Sequence, residues 1–373
     1  MQITMGQSPD GSTYSNEPSD YILIQGNADL LNGWVSPRIW TTQITKKADA
    51  GDLIMSVRAP AGSMGKTAYD AVIGRGVAAI KGNEFIYQLL VKMDEVGYWK
   101  TFSCGSTFES LSSDTIKNAK VNVTLIAEQT QIGLFLNQLD SLITLHQRKL
   151  DKLVNVKKSM LEKMFPQQGS RIPEIRFCGF TDDWEQRKVT ELGMIYIGLV
   201  TTMTSHYTND GILLIRNSDI KDGRFEFGGN QIFLERSFAK ANESRMHQLG
   251  DVITVHTGDV GTSAVITKNE VKSIGFATIV TRPNRAIINP YYLCTFLNTE
   301  KHKKWAVAIS TGDGRTNYNL GDYLELIIPV PSINEQKEIA LFIEKINTLI
   351  TLHQRKLEKL KNIKKSMLEK MFI

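Results

Sequence analysis

The stretch LDSLITLHQRKLDKLVNVKKSMLEKMF, residues 139–165, recurs as INTLITLHQRKLEKLKNIKKSMLEKMF, residues 346–372. The copies lie 207 residues apart and are identical at 21 of 27 positions. Similarity at a fixed period shows that a chain is built from repeated structural units. The sequence therefore predicts that the chain consists of two structural repeats.

The repeated stretch is predicted to be a long amphipathic helix. Its apolar residues recur at spacings of three, four, seven or eight, and neither Pro nor Gly interrupts 134–165 or 341–372. A helix from Glu128 to Phe165 would be about 55 Å long, which suits a coiled coil. The shortest return path for the chain makes the two helices antiparallel. Because eight residues separate Leu142 from Leu150, we expect an irregular heptad there.

One face of each helix is predicted to form the helix pair and to contact partner proteins. The residues assigned to this face are Leu142, Leu150, Leu153, Met160, Leu349, Leu357, Leu360 and Met367. The lysines at 157, 158, 364 and 365 are assigned to a basic outer face. His146 and His353 are interpreted as polar residues that set the register of a seam, rather than as ligands.

Composition limits the class of protein. A chain of 373 residues with 42% hydrophobic and 22% charged residues is typical of two or three globular domains. The net charge of +5 permits a polyanionic partner. Cys104, Cys178 and Cys294 show no CxxC spacing, so neither a disulfide framework nor a zinc site is predicted. Without an apolar run of 18 residues or a signal-like start, we expect a cytoplasmic protein.

Two α/β modules are predicted at residues 1–125 and 166–332, with spacer helices at 126–165 and 333–373. AGDLIMSVRAPAG, residues 50–62, matches LGDVITVHTGDVG, residues 249–261, in its hydrophobic pattern. Predicted strands in the first module are Tyr21–Ile24, Asp52–Val57 and Ala71–Ile80, followed by a helix at Phe85–Met93. The modules differ in most side chains whereas the helices are nearly identical. This contrast indicates a common partner for the helices and different targets for the modules.

The chain resembles the DNA specificity subunits of type I restriction–modification systems over nearly its whole length. The resemblance lies in the repeated LHQRKLxKLxNxKKSMLEKMF helices, the segment PEIRFCGFTDDWEQRK (Pro173–Lys188) and the AGDLIMSVRAPAG strand. It implies two target-recognition domains that each read half of a bipartite sequence in double-stranded DNA. It also implies helices that space these domains and dock two methyltransferase subunits, with ATP-driven restriction and translocase subunits in the same complex. S-adenosylmethionine, ATP and Mg would then serve the complex, with none bound by this chain.

The first half differs from the second at its beginning. The halves hold 165 and 207 residues, and only the second contains a segment like Pro173–Lys188. Met1 is placed near the level of Leu199–Thr201 in the second copy. We therefore expect the first half to lack the opening of its domain, which would weaken DNA reading by that domain.

Two motifs resemble catalytic ones without matching them. GSMGKT (Gly62–Thr67) has Pro60 where a phosphate-binding loop requires Gly, so a turn between strands is favoured. NPYY (Asn289–Tyr292) lacks the second Pro of the methyltransferase motif, and Asn289 as helix cap with Pro290 after it explains the same letters. The sequence indicates a chain that is not an enzyme.

Candidate DNA-binding residues lie beside turns that end strands, where side chains can reach base edges and phosphates. They are Arg58, Lys66, Arg75, Arg216, Asn217, His256, Arg282, Arg315 and Asn317. The loops Gly105–Ser110 and Gly312–Asn319 are expected to be mobile reading loops. No residue can be assigned to a particular base, and the target sequence stays open.

The predicted fold is α/β (α+β), with two similar target-recognition domains joined by two long antiparallel coiled-coil helices in a pseudo-twofold internal repeat. The predicted function is sequence-specific DNA recognition within a type I restriction–modification complex. Two alternatives stay open at this point: a nucleotide-dependent enzyme that uses GSMGKT, and a coiled-coil scaffold without DNA specificity. Binding of ATP or S-adenosylmethionine by the isolated chain would favour the first alternative. Absence of sequence-selective DNA binding would favour the second.

Overall fold

A computed structural model describes residues 2–102, 110–167, 169–229, 231–310 and 317–372. The chain divides into two compact units. Unit 1 consists of residues 1–150 and 352–373, and unit 2 of residues 151–351. The division cuts both long helices. Each spacer helix predicted as a separate domain therefore contributes part of its length to each unit.

Eight α-helices are found in the described residues. They are α1 (Glu84–Glu95), α2 (Ser113–Lys117), α3 (Ile126–Lys163), α4 (Arg236–Ala241), α5 (Pro290–Leu297), α6 (Glu300–Ile309), α7 (Leu320–Leu324) and α8 (Ile333–Met371). The two long helices α3 and α8 are those predicted from the repeat, with ends within two residues of the predicted ones. Helix α1 begins after Asn83, whose side chain accepts a hydrogen bond from the backbone N–H of Ile86 at 3.0 Å.

Unit 1 contains two sheets. Its strands are β1 (Ile3–Met5), β2 (Tyr14–Ser15), β3 (Tyr21–Ile24), β4 (Leu30–Leu31), β5 (Trp34–Val35), β6 (Trp40–Thr41), β7 (Lys47–Ala48), β8 (Leu53–Ser56), β9 (Met64–Lys66), β10 (Ala71–Ile73) and β11 (Val77–Ile80). One sheet has the order β1-β11-β8-β9-β5-β4 and the other β2-β6-β3-β10-β7. The predicted strand Ala71–Ile80 is thus two strands in different sheets. They are separated by a turn at Gly76, where a Cβ would lie 1.9 Å from the carbonyl oxygen of Gln25.

Unit 2 repeats this arrangement. Its strands are β12 (Glu185–Lys188), β13 (Gly193–Ile197), β14 (Tyr207–Thr208), β15 (Ile212–Ile215), β16 (Ile220–Lys221), β17 (Arg224–Phe225), β18 (Ile232–Leu234), β19 (Val252–Thr254), β20 (Ser263–Val265), β21 (Ile274–Gly275), β22 (Ile279–Pro283) and β23 (Ile327–Val330). The order β13-β22-β19-β20 reproduces β1-β11-β8-β9 of unit 1, and the parallel pair β15-β21 reproduces β3-β10. Strands β12 and β23 form an additional antiparallel pair.

Backbone hydrogen bonds correct the predicted alignment of Met1 with the second half of the chain. The N–H of Gly6 donates to the carbonyl of Val77, and the N–H of Gly198 donates to that of Thr278, in equivalent pairs of strands. Gly6 therefore corresponds to Gly198, which places Met1 at the level of Gly193 instead of Leu199–Thr201. The prediction was wrong because loops of unequal length lie between this point and the strand used for the alignment.

The helix halves pack antiparallel within unit 1. Nδ1 of His146 lies 2.9 Å from Nδ1 of His353, and Nζ of Lys364 donates to Oδ1 of Asp140 at 2.6 Å. Residues further along α3 thus contact residues nearer the beginning of α8, as in an antiparallel pair. The N-terminal half of α3 and the C-terminal half of α8 also join the core of unit 1 through Leu136, Leu139 and Leu368.

The buried faces of α3 and α8 follow an unbroken heptad, which corrects the predicted irregularity. Positions 136, 143, 150, 157 and 164 of α3 face inward at intervals of seven, as do 139, 146, 153 and 160. Leu142 and Leu349, assigned to this face by sequence, are instead both 44% exposed. Ile143 and Ile350 occupy the seam in their place, so the eight-residue step does not exist. The other six assigned residues, including Leu150 and Leu357, are buried or half-buried.

The basic outer face also needs correction at two positions. Nζ of Lys157 pairs with Asp222 at 2.8 Å in unit 2, and Nζ of Lys364 pairs with Asp140 at 2.6 Å in unit 1. Both lysine side chains are largely buried, since position 157 and its counterpart 364 belong to the heptad seam. Lys158 and Lys365 are exposed, as predicted.

Candidate nucleic-acid interface

Three connections in each unit meet at one edge of its sheets. In unit 2 they follow β15, β19 and β21, and in unit 1 they follow β3, β8 and β10. We call each set the polar edge of its unit. A backbone bridge joins each edge to a residue of its predicted reading loop, between Thr257 and Asn317 in unit 2 and between Arg58 and Ser110 in unit 1. The same local geometry therefore occurs in both units.

The polar edge of unit 2 brings together three of the predicted residues. The backbone N–H of His256 donates to Oδ1 of Asn217 at 2.8 Å. The Thr257 hydroxyl donates to Oδ1 of Asn317 at 2.9 Å and also lies 2.8 Å from Nδ1 of His256. The edge thus presents neutral amide, imidazole and hydroxyl groups. Partial burial lowers the pKa of His256, which keeps its ring uncharged at neutral pH.

Asn217 links two of the connections that form the polar edge of unit 2. Its Nδ2 donates to the carbonyl of Ala277 at 3.1 Å while its Oδ1 accepts from His256. Since these contacts use both ends of the amide, Asn217 holds two connections at a fixed distance. Ala277, at φ +47°, lies in the connection after β21, and the equivalent connection of unit 1, after β10, contains Arg75.

The polar edge of unit 1 presents charged side chains at equivalent positions. Arg58 corresponds to Thr257, and Arg75 lies in the connection equivalent to that of Ala277; both arginines are exposed. Within the described part of the chain, neither guanidinium forms an ion pair. Both side chains therefore keep their donors for an external acceptor. The two edges share a backbone and differ in chemistry.

Lys66 lies inside unit 1, so its placement disagrees with the prediction that it reaches DNA. Its ammonium donates to Glu84 at 2.8 Å and to Asn137 at 3.2 Å, and it lies 4.7 Å from the ring centroids of Trp34 and Tyr87. It belongs to β9, which pairs antiparallel with β8. GSMGKT thus runs from the turn at Gly62 into strand β9, so it is not the turn predicted from the sequence, and its Lys leads into no helix that could bind a phosphate.

Arg216 and Arg282 stabilise unit 2 from inside. Arg216 forms a two-pronged pair with buried Asp219, at 2.7 and 3.0 Å. Arg282 does the same with buried Asp251, at 2.8 and 3.0 Å. Bidentate pairing leaves these guanidinium groups few donors for DNA. In unit 1, Arg38 donates twice to Oδ1 of buried Asp29, at 2.8 and 2.9 Å. Sequence reasoning missed the pair of Arg282 and Asp251, because these residues lie 31 positions apart and meet only in the folded sheet.

Two further predictions concern this region. Arg315 and most of both predicted reading loops, residues 105–109 and 312–316, lie outside the described residues. NPYY caps helix α5 as predicted, because Oδ1 of Asn289 accepts from the N–H groups of Tyr291 and Tyr292 at 2.9 and 3.2 Å. Tyr292 is fully buried and donates to the carbonyl of Pro329 at 2.5 Å, so its ring is not available to hold a base.

The sequence profile of the type I restriction modification DNA specificity domain matches residues 2–155 and 181–362. The chain belongs to this family. It is 29% identical over 168 residues to a putative type I restriction enzyme MjaX specificity subunit of Methanocaldococcus jannaschii, covering 43% of this chain and 39% of that one. The MjaVIII specificity subunit of the same organism is 23% identical over 285 residues, 73% of this chain and 65% of its own. The matched part is therefore less than two thirds of either relative.

Solved structures of specificity subunits share the fold. A crystal structure of a type I restriction-modification system S subunit from M. genitalium matches all of this chain and 93% of its own, with TM-score 0.62 and 15% identity. A structure from work on complex assembly and conformational transition of the type I R-M system matches 98% of this chain and 94% of its own, with TM-score 0.51 and 16% identity. The family thus has the α/β fold predicted from the sequence, with two domains and two long helices.

The described residues also bear on membrane and metal binding. None of their helices is long and apolar enough to cross a membrane. They contain no cluster of three His, Cys, Asp or Glu side chains suited to a metal ion. Burial raises the pKa of the Cys294 thiol to about 12, so this cysteine stays protonated.

Proposed function

We propose that this chain is the DNA-recognition subunit of a type I restriction–modification complex, in which each polar edge reads one half of a bipartite target. The observation that carries the proposal is the contrast between equivalent edges. Arginine donors favour guanine and phosphate, whereas amide groups favour adenine in the major groove. Two copies of one scaffold with different side chains suit two different half-sites.

The repeated helices would dock the same partner twice. Their exposed positions are nearly identical, and the exposed leucines match as well: Leu142 with Leu349, and Leu145 with Leu352. Exposed leucines flanked by Arg148 and Arg355 form a surface with both apolar and basic character, which suits a protein interface more than plain solvent exposure. We therefore infer two methyltransferase subunits as partners of these faces, with restriction and translocase subunits recruited to the complex.

Catalysis would come from the partners. S-adenosylmethionine, ATP and Mg would be bound by the methyltransferase and restriction subunits, and the complex would act in the cytoplasm. The engagement of Lys66 within unit 1 gives no support to the nucleotide-dependent alternative. No observation favours a scaffold without specificity, since a scaffold has no need for different polar edges on similar units.

Domain exchange tests this proposal. Residues 189–325 would be replaced by the same region of a relative, the chimera produced with its methyltransferase, and the methylated motif determined by sequencing modified bases. We expect one half of the motif to change while the other half and the gap stay the same. A motif that is unchanged, or that changes in both halves, would contradict the assignment of one half-site to each unit.

A further inference from the structure

Asn317 keeps half of its amide available on the polar edge of unit 2. Its Oδ1 accepts a hydrogen bond from the Thr257 hydroxyl at 2.9 Å, and its backbone forms a bridge with the same residue. Among the described residues, no group accepts a hydrogen bond from its Nδ2. A short side chain has little reach, so the position of its backbone decides which hydrogen bonds the amide can form with a base.

Tyr318 anchors the chain directly after Asn317. Its backbone N–H donates to the carbonyl of His256 at 2.8 Å, and its side chain is fully buried. The ring packs edge to face against the rings of Trp305 and Tyr323, with centroids 6.0 and 5.6 Å apart. A ring enclosed in this way cannot shift without displacing its neighbours. Tyr318 therefore fixes the backbone beside Asn317.

His302 fixes the direction of the Tyr318 hydroxyl. Nδ1 of His302 lies 2.6 Å from the carbonyl oxygen of Leu297, which can only accept, so Nδ1 carries the proton. Nε2 therefore accepts from the hydroxyl of Tyr318, at 3.2 Å. The connection after β19 lies against the same ring, since a Cβ on Gly261 would be 3.1 Å from Cε1 of His302. His302 thus supports both chain segments that form the bridge of the polar edge.

The tautomer of His302 is stable at neutral pH. Burial lowers the pKa of this histidine to about 4, so its ring stays uncharged. The buried imidazole consequently offers one donor to Leu297 and one acceptor to Tyr318, and both are used.

Unit 1 builds the equivalent position without this hydrogen bond. Leu111 lies 207 residues before Tyr318, its N–H donates to the carbonyl of Val57 at 2.9 Å, and its side chain is buried. The backbone anchor is thus common to both units, whereas leucine has no hydroxyl to bind an imidazole. The edge of unit 1 carries Arg58, a long side chain that adjusts by rotation of its own bonds. Asn317 has no such freedom, which explains a more rigid anchor in unit 2.

We propose that Tyr318 is a positioning residue for base reading in unit 2, because its hydrogen bond to His302 holds Asn317 where the amide meets a base edge. Tyr318 and His302 are themselves buried, so they act on DNA only through the groups that they hold. This inference rests on the proposed function, in which the polar edge of unit 2 reads one half-site.

Tyr318→Phe tests the proposal, since it removes the hydroxyl and keeps the packed ring. The variant, assembled with its methyltransferase, would be titrated with duplexes altered in one half-site at a time. We expect discrimination at the half-site of unit 2 to fall about 3- to 10-fold, the effect of losing one hydrogen bond. Discrimination at the other half-site and the salt slope of DNA binding should stay the same. Amide hydrogen exchange at residue 318 should become faster.

Tyr292→Phe is the matched control in the same unit. It also removes one buried hydroxyl, which donates to the carbonyl of Pro329 at 2.5 Å in strand β23. This variant should lower the melting temperature as Tyr318→Phe does and leave discrimination at both half-sites intact. An equal loss of discrimination in the two variants would show that reduced stability alone is responsible, and would overturn the proposal. Unchanged discrimination in folded Tyr318→Phe would overturn it too.

Asn317→Ala separates the positioning role from the proposed function. In a chain that lacks the Asn317 amide, Tyr318→Phe should cause no further loss of discrimination, because both changes act through one group. Additive losses would contradict the positioning role. Discrimination that is lost in Asn317→Ala and retained in Tyr318→Phe would remove this role alone. If Asn317→Ala leaves both half-sites unaffected, reading by this polar edge is wrong and the positioning role is wrong with it.

Discussion

His146 and His353 occupy equivalent positions of the repeat and meet each other, with their Nδ1 atoms 2.9 Å apart. One ring must donate and the other accept, so the contact requires at least one neutral imidazole. Partial burial lowers the pKa of His146, and the positive charges of His353, Lys356 and Lys149 lower it further. The pair is thus a polar contact within the helix seam, and it depends on pH.

Protonation of this histidine pair should lower the free energy of unfolding in acid. Because the pKa of His146 is lower in the folded chain than in the unfolded one, the unfolded state binds more protons as the pH drops below about 6.5. The contribution is present at neutral pH and is lost towards pH 5. Denaturant unfolding at pH 7.5 and 5.0 would show it. The variant His146→Gln with His353→Gln should lose less stability over the same range, and an equal loss would contradict the assignment.

Seam leucines and exposed leucines should respond differently to charge. Leu150→Asp with Leu357→Asp places unpaired carboxylates in the helix seam, and we expect a loss of several kcal/mol and an unfolded spacer. Leu142→Asp with Leu349→Asp changes exposed positions. It should keep the melting temperature within a few degrees and abolish copurification with the methyltransferase. Retained copurification would show that these leucines do not contact it.

The exposed lysines of the repeated helices should contact the protein partner. Lys158→Glu with Lys365→Glu reverses two charges that stand at identical positions in near-identical helices. Lys157 and Lys364 are left in place because they form interior ion pairs. We expect a folded chain that assembles poorly with the methyltransferase, as judged by gel filtration. Normal assembly, combined with a salt slope of DNA binding that is shallower by about two, would instead place these lysines on phosphates.

Each polar edge should affect one half-site. Arg58→Ala with Arg75→Ala removes two exposed donors of unit 1, whereas Asn317→Ala alters the edge of unit 2. We expect each variant to reduce discrimination about 5- to 100-fold at one half of the target and to spare the other, because a base contact contributes about 1–3 kcal/mol. Affinities for duplexes altered in one half-site at a time would measure this. Lys46→Ala with Lys117→Ala, both exposed in unit 1, controls for lost charge.

The length of α3 and α8 should set the gap between the two half-sites, and deletions of seven residues can test this. Removing seven residues from both α3 and α8 preserves the heptad and shortens each helix by about 10.5 Å, or about three base pairs. The non-specific gap in the methylated motif should shrink accordingly. Removing four residues instead would turn the seam outward at the deletion, so we expect that variant to be insoluble. An unchanged gap in the seven-residue variant would mean that another element sets the spacing.

The sequence by itself determined the duplicated plan, the two long helices and the family. These follow from local periodicity and from repetition, both of which can be read from the linear sequence. The cap at Asn289 was also predictable, since a helix cap depends on a few neighbouring residues. The predicted separate spacer domains did not follow, because each long helix is divided between the two units.

Only the tertiary structure decided which side chains stay available for other molecules. Lys66, Arg216 and Arg282 looked the same in sequence as Arg58 and Arg75, yet carboxylates 3 to 31 residues away bind the first three inside the units. Ile143 lies in the helix seam and Leu142 does not. Successive residues of a helix point in different directions, so only one of these two can face the neighbouring helix. Exposure and pairing are properties of contacts between distant segments, and a linear sequence does not display them.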